Sequence, residues 1–178
     1  LADARPEPER NEGRIEMAPT LAERIFHIAY VVPNLKAALA FFQDKLDVPR
    51  FLVKEDVQLQ DQMYMGKPAD IRQSIAFGWA GHFEFELIQP LSGTSTYSEF
   101  LKKVPGGGMQ HTGILVDDYD KGVAEMTAKG FTLVQSGRNG DTRFGYFDTD
   151  RVIGTLTEVV YRAPKEEEFI ARFRRGEA

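Results

Sequence analysis

The 178-residue chain is predicted to be an α+β protein: two βαβββ modules forming one curved mixed sheet around a central metal site. Three observations carry this expectation. The first is an internal repeat, in which Phe26-His27-Ile28-Ala29-Tyr30-Val31-Val32 overlays on Gln110-His111-Thr112-Gly113-Ile114-Leu115-Val116. Each copy continues into a turn and a helical pattern. The second is that each copy ends in a strand-like segment with a glutamate inside it, Phe85-Glu86-Leu87-Ile88 and Thr157-Glu158-Val159-Val160. The third is the breaker Pro105-Gly106-Gly107-Gly108 between the copies. Two units of this size bury their apolar faces by pairing, and an approximate twofold axis then brings both first strands and both last strands to one concave surface.

The bulk numbers set limits. With 42% hydrophobic and 28% charged residues, the chain has an ordinary globular composition. A net charge of −5 argues against a sequence-independent nucleic-acid binder, which needs a basic stripe. The absence of cysteine removes disulfides, thiolate metal sites and cysteine nucleophiles together. No apolar run approaches the roughly 18 residues that span a bilayer. The first residues carry no apolar signal-peptide core either. A cytoplasmic protein with no nucleic-acid and no membrane partner is expected.

Along the chain, residues 1–20 are rich in Pro, Glu and Arg and read as a flexible tail. Met17 is a candidate internal start. A single domain is expected over 21–164, with module one at about 25–92, a linker at 93–108 and module two at about 109–161. Residues 165–178 read as a C-terminal helix or tail. Ile25 to Val32 is apolar except for His27 and reads as a strand covered on both faces. Asn34 can cap a helix in which Leu35, Ala38, Leu39, Phe42 and Leu46 recur at helical spacing. Phe51 to Val53 is a short strand. Glu55 to Asp70 is polar and holds Gly66 and Pro68, which suggests a hairpin or flap. Ile71 to Trp79 and His82 to Gln89 form strands joined at Ala80-Gly81. Tyr97 to Lys103 is a short helix. In module two, Met109 to Val116 is a strand and Asp118 to Lys129 a helix ended by Gly130. Phe131 to Gln135 is a strand, Ser136 to Thr142 a turn, and Phe144 to Thr149 and Gly154 to Tyr161 the last strands. Glu166 to Arg175 closes the chain as a helix with a basic end.

Side chains alternate along a strand. His27 therefore shares a face with Ala29 and Val31, His111 with Gly113 and Leu115, and Glu158 with Leu156 and Val160. Glu86 shares its face with Glu84 and Ile88, so one of the two acids should lie at the solvent edge unless a cation sits near. A buried carboxylate is costly without a cation or hydrogen bonds. Two His and two Glu at equivalent places in a repeat point to a metal site made by His27, Glu86, His111 and Glu158. Mixed imidazole and carboxylate donors suit one divalent ion, Zn, Ni, Co, Mn, Fe or Mg. Four such ligands in a six-coordinate shell leave two positions for substrate oxygens or water. Glu84 is a weaker candidate for a catalytic acid or base, and its competing role is a solvent-edge acid. His82 reads as exposed. Arg72, Arg138, Arg143 and Lys67 could hold an anionic substrate group or simply be solvated. Phe41, Phe42, Phe83, Phe85, Phe144 and Tyr146 read as core.

The stretches His27 to Leu35, Phe85 to Leu91 with Tyr97 to Leu101, and Gly107 to His111 with Val116 to Asp118 carry a family resemblance. The chain resembles the vicinal oxygen chelate superfamily, the glyoxalase/bleomycin-resistance fold, and is most similar to its methylmalonyl-CoA epimerase-like and glyoxalase-like members. The resemblance covers about Ile25 to Tyr161. It implies that the residues matching His27, Glu86, His111 and Glu158 bind the metal and that the chain forms a homodimer. The chain departs from such epimerases at Asp148 to Thr155 and in having Gln110 before His111, where two consecutive histidines are usual.

The leading expectation is a metal-dependent isomerase, epimerase or lyase. It would take a proton from the carbon next to a metal-chelated carbonyl of a small carbonyl or thioester substrate, through an enolate or enediolate, with Glu158 or Glu86 as the base. Two alternatives use the same fold. An extradiol-type dioxygenase prefers two His and one carboxylate on iron. A non-enzymatic drug-binding protein needs an apolar cleft and no metal ligands.

Overall fold

The computed structural model describes residues 19–81 and 83–177. The expected tail, apart from its last two residues, and His82 lie outside the described residues. Strand β1 (Ile25–Val31), helix α1 (Leu35–Leu46), strands β2 (Phe51–Gln58), β5 (Arg72–Ala80) and β6 (Phe83–Ser92) make the first βαβββ module. Between β2 and β5 stands a small hairpin, β3 (Gln60–Tyr64) and β4 (Lys67–Pro68). Helix α2 (Thr96–Lys103) leads to the second module: β7 (Gly108–Leu115), α3 (Tyr119–Ala128), β8 (Leu133–Asn139), β9 (Thr142–Phe147) and β10 (Leu156–Tyr161). A short helix α4 (Asp150–Ile153) precedes β10, and α5 (Pro164–Arg175) ends the chain.

The helices start where local chemistry directs. The side chain of Asn34 accepts a hydrogen bond from the Ala37 N–H, and Asp118 accepts one from Lys121 N–H. Ser95 and Ser98 form a reciprocal capping box at α2. Helix α5 has Pro164 in its first turn, Glu166 and Glu167 beside it, and Arg172, Arg174 and Arg175 in its last turn, which complements its dipole.

All the strands join one sheet in the order β2-β5-β6-β1-β7-β10-β9-β8-β3-β4. The first strands β1 and β7 pair antiparallel at its centre, and each pairs parallel with the last strand of its own module, β6 or β10. The repeat is thus a real approximate symmetry. The hairpin adds something that the repeat does not contain. β2 lies at one edge of the sheet and β3 pairs with β8 near the other edge, although only Leu59 separates them in the chain. The sheet must therefore roll until its edges meet at Leu59. The expected short strand at Phe51 to Val53 is longer for this reason, and the expected turn at Ser136 to Thr142 is shortened because β8 continues to Asn139 to pair with β3.

Helix α1 covers the outer face of module one through Leu35 and Phe42 against Leu87 and Ala76. Helix α3 covers module two through Tyr119 and Met126 against Val159 and Phe147. The inner face is lined by Val31, Ile75, Ile88, Phe144, Tyr146 and Val160, with Tyr97 of α2 closing one end. Phe41, expected in the core, is 54% exposed on the outside of α1, and its neighbour Phe42 takes the buried position. Among the described residues, no helix is long and apolar enough to cross a membrane.

Candidate metal centre

The strand register places the four expected residues on the inner face of the roll. His27 and Glu86 come from neighbouring strands β1 and β6, and His111 and Glu158 from β7 and β10. All four are buried, and one donor atom from each lies within 4.8 Å of the others. Both histidines turn Nε2 towards the centre. His27 Nε2 is 3.1 Å from Glu158 Oε2 and 3.8 Å from Glu86 Oε2. His111 Nε2 is 3.2 Å from Glu86 Oε2 and 3.5 Å from Glu158 Oε2.

The surroundings of each imidazole differ. His111 Nδ1 lies 2.5 Å from the side-chain oxygen of Gln110. His27 Nδ1 faces Glu84 Oε1 at 3.6 Å, and both ring nitrogens of His27 are buried without a directional hydrogen bond. The expected solvent-edge position of Glu84 is corrected by the structure: it is 1% exposed. The cation that permits this is Arg162, whose Nη2 donates at 2.6 Å to both carboxylate oxygens. The Trp79 indole N–H donates to the same carboxylate at 2.9 Å.

Burial alone would lower the pKa of His27, but the nearby carboxylates of Glu158, Glu84 and Glu86 outweigh it and raise it to about 10. Burial likewise opposes protonation of His111, and Glu158 and Glu86 raise its pKa on balance. Burial acts to raise the pKa of Glu158, and His111 and His27 bring it below the ordinary carboxylate range. Burial also opposes ionisation of Glu84, yet His27 and Arg162 hold its pKa low.

The donor set fits a divalent ion. Metal bonds of about 2.0–2.3 Å place donor atoms roughly 3 to 4.5 Å apart, near the separations found. Two carboxylates converge on two imidazoles in a buried site, and the orphaned Nε2 of His27 points at the same centre.

This centre opens on a cavity of about 80 Å³. Its apolar wall includes Phe26, Leu59, Ile75, Phe77 and Phe144, and Ile170 of α5 closes one side. Its polar lining includes Lys54, Arg162 and the hydroxyl-bearing Tyr146. The Tyr97 and Tyr146 hydroxyls bond at 2.7 Å, and the Tyr146 ring packs edge-on against His111 with centroids 4.8 Å apart. Phe144 and Tyr146 are buried in the core as expected and also line the cavity. None of the four basic residues expected to hold an anion lines the cavity. Arg72 pairs with Asp56, Arg138 with Asp61, and Arg143 with Asp120, while Lys67 lies exposed in the small hairpin. Sequence reasoning missed Arg162, Trp79 and Gln110. A basic residue just after a buried-glutamate strand was the one available signal for Arg162.

A family described as the Glyoxalase/Bleomycin resistance protein/Dioxygenase superfamily matches residues 26–146, and the chain belongs to that superfamily. The match contains His27, Glu86 and His111 and ends before Glu158. The mitochondrial methylmalonyl-CoA epimerase of Bos taurus is 33% identical over 106 residues, 60% of this chain and 54% of that protein. The chain spans about half the length of this and the other mitochondrial epimerases it matches. The crystal structure of methylmalonyl-CoA epimerase from Mycobacterium tuberculosis superposes with a TM-score of 0.61 at 24% identity, covering 87% of this chain and 98% of that one. A methylmalonyl-CoA epimerase in complex with methylmalonyl-CoA and NH4+ superposes with a TM-score of 0.60 at 22% identity, covering 79% and 95%. These structures share the fold of two modules around a common concave face.

Proposed function

We propose that the protein is a divalent-metal-dependent isomerase or epimerase, acting on the carbon next to the carbonyl of a small carbonyl or thioester substrate. The observation that carries this reading is the buried convergence of His27, Glu86, His111 and Glu158 at a cavity. These four residues would hold the ion. When bound, the ion supplies Lewis-acid stabilisation of the carbonyl oxygen as the neighbouring carbon loses its proton.

The rest of the work falls to the chain. Glu86 and Glu158 each turn Oε2 towards the histidines. The second oxygen, Oε1, of one of them is the proposed proton acceptor, and that of the other the proposed donor to the opposite face, as inversion requires. The apolar wall of Phe77, Phe144 and Ile170 excludes water and keeps that exchange between carboxylate and substrate. The names of the relatives support a thioester as the first substrate to try. The resemblance also supports a homodimer, which sedimentation equilibrium would test.

Elemental analysis of protein purified without chelators tests the metal directly. About one equivalent of a divalent transition metal per chain is expected. Incubation with methylmalonyl-CoA in deuterated water should then wash deuterium into the carbon between the two carbonyls. A protein that carries no metal and takes up none of Co, Ni, Mn or Zn would sink the proposal.

A further inference from the structure

The two halves of the site are related by the repeat, but their outer partners are not. In module one His27 pairs in register with Glu84, and in module two His111 pairs in register with Leu156. Glu84 and Leu156 hold the same place, two residues before the site glutamates Glu86 and Glu158. The residue preceding each histidine also differs, Phe26 in one copy and Gln110 in the other. The repeat thus gives His111 a neutral oxygen from its own strand, whereas the nearest acceptor of His27 is a carboxylate from the neighbouring strand.

We infer that Glu84 is the positioning residue of His27: clamped by Arg162 and Trp79, it holds the imidazole with Nδ1 outward and Nε2 turned to Glu86 and Glu158. The inference rests on the metal-site reading above. A neutral imidazole carries one proton, and a carboxylate facing Nδ1, here at 3.6 Å and short of a hydrogen bond, favours the tautomer that keeps the proton there and leaves the Nε2 lone pair free for an ion. A carboxylate in that position also makes the ring a stronger donor. Glu84 can do this only if it stays ionised and immobile. Arg162 supplies the charge, donating to both oxygens at 2.6 Å, and the Trp79 N–H fixes the carboxylate from a second direction. The clamp also bridges the modules, since Glu84 lies in β6 while Arg162 follows β10. Linking the two modules across the central strands and orienting His27 are therefore one interaction. Arg162 is steadied in turn by the Phe26 ring, 4.6 Å from its guanidinium carbon.

The test uses the full chain loaded with Co2+, whose affinity is measured by calorimetry. Proton spectra of the paramagnetic protein resolve the exchangeable ring N–H of each bound histidine. The parent should show two such resonances, one from His27 and one from His111. Glu84→Leu, which copies the module-two residue, should lose the His27 resonance to solvent exchange and bind Co2+ about 10-fold or more weakly. Glu84→Gln restores a neutral acceptor and should keep the resonance with a smaller loss of affinity. Should Glu84→Leu fail to fold, Glu84→Gln alone decides, with weakened Co2+ binding as the supporting result. Affinity within twofold of the parent and both resonances retained would overturn the inference and leave Glu84–Arg162 as an ion pair between modules. A parent that binds no Co2+ would instead defeat the metal-site reading, and this inference with it.

Discussion

The imidazole of His27 lies directly over the Cα of Gly113, its register partner across β1 and β7, so that a Cβ on Gly113 would overlap the ring. The related pair in the repeat is His111 opposite Ala29. Each histidine thus stands opposite a small residue, and only the His27 side needs glycine. Gly113→Ala is expected to push His27 out of the cluster. Overpacking of this kind costs about 1–3 kcal/mol, and metal affinity should fall with it. Thermal unfolding of the metal-free protein and a Co2+ titration check the two effects separately; a variant with parental affinity would show that the ring can move aside freely.

Much of this was legible in the sequence because the repeat doubles every signal. One strand histidine is ambiguous, but His27 and His111 at the same place in two copies are not, and the same holds for Glu86 and Glu158. What escaped was whatever breaks the repeat. Glu84 looked like an edge acid because its compensating cation, Arg162, comes from the other module, 78 residues away. The β2–β3 crossing escaped for a similar reason. Residues 55–70 read as a hairpin or flap, and β3 and β4 form one, but the pairing of β3 with β8 is set by a strand of the other module.

Removing a ligand should separate metal binding from folding. Glu158→Gln keeps the shape of the side chain and removes the charge that faces both histidines. His111→Ala removes one of the two imidazoles at the centre. Both are expected to lower metal affinity by at least about tenfold. Chelation of the parent should lower its melting temperature, since an ion at 100 times its dissociation constant contributes about 2.7 kcal/mol. Equal metal content in parent and both variants would exclude these residues as ligands.

The metal-free protein should lose stability as the solution becomes alkaline. His27 titrates at about 10 in the fold and near 6.5 in an unfolded chain. Between those values the folded state holds a proton that the unfolded state has released. The contribution of His27 is therefore complete below about pH 6.5 and is lost as pH rises through 10. Glu158 acts with the opposite sense: its lowered pKa contributes stability above the ordinary carboxylate range, lost in acid. Chemical denaturation of metal-free protein at pH values between 6 and 10 should show the alkaline loss, and His27→Gln should flatten it. On metal loading each ligating Nε2 must be free of its proton while Nδ1 keeps one, so the protein should release protons. A pH-stat reading of no release would contradict the assignment.

Trp79 is the only tryptophan of the chain and touches both the site and the closing helix. Its N–H donates to Glu84, and its ring packs on Phe173 of α5 with centroids 5.6 Å apart. Arg50 also packs over Phe173, its guanidinium carbon 4.6 Å from the ring centre. Phe173→Ala should admit water to Trp79 and shift its emission to longer wavelength. Among the described residues, the ring partners of Phe173 are Trp79, Phe169 and Arg50 rather than the four proposed ligands, so Co2+ affinity should stay within about twofold, as for sites without shared partners. In the parent, Co2+ should quench Trp79 emission to a plateau at one equivalent, and a chelator should restore it. A linear decrease without a plateau would mean that the ion meets Trp79 only by collision and is not held at the His27 side of the cavity.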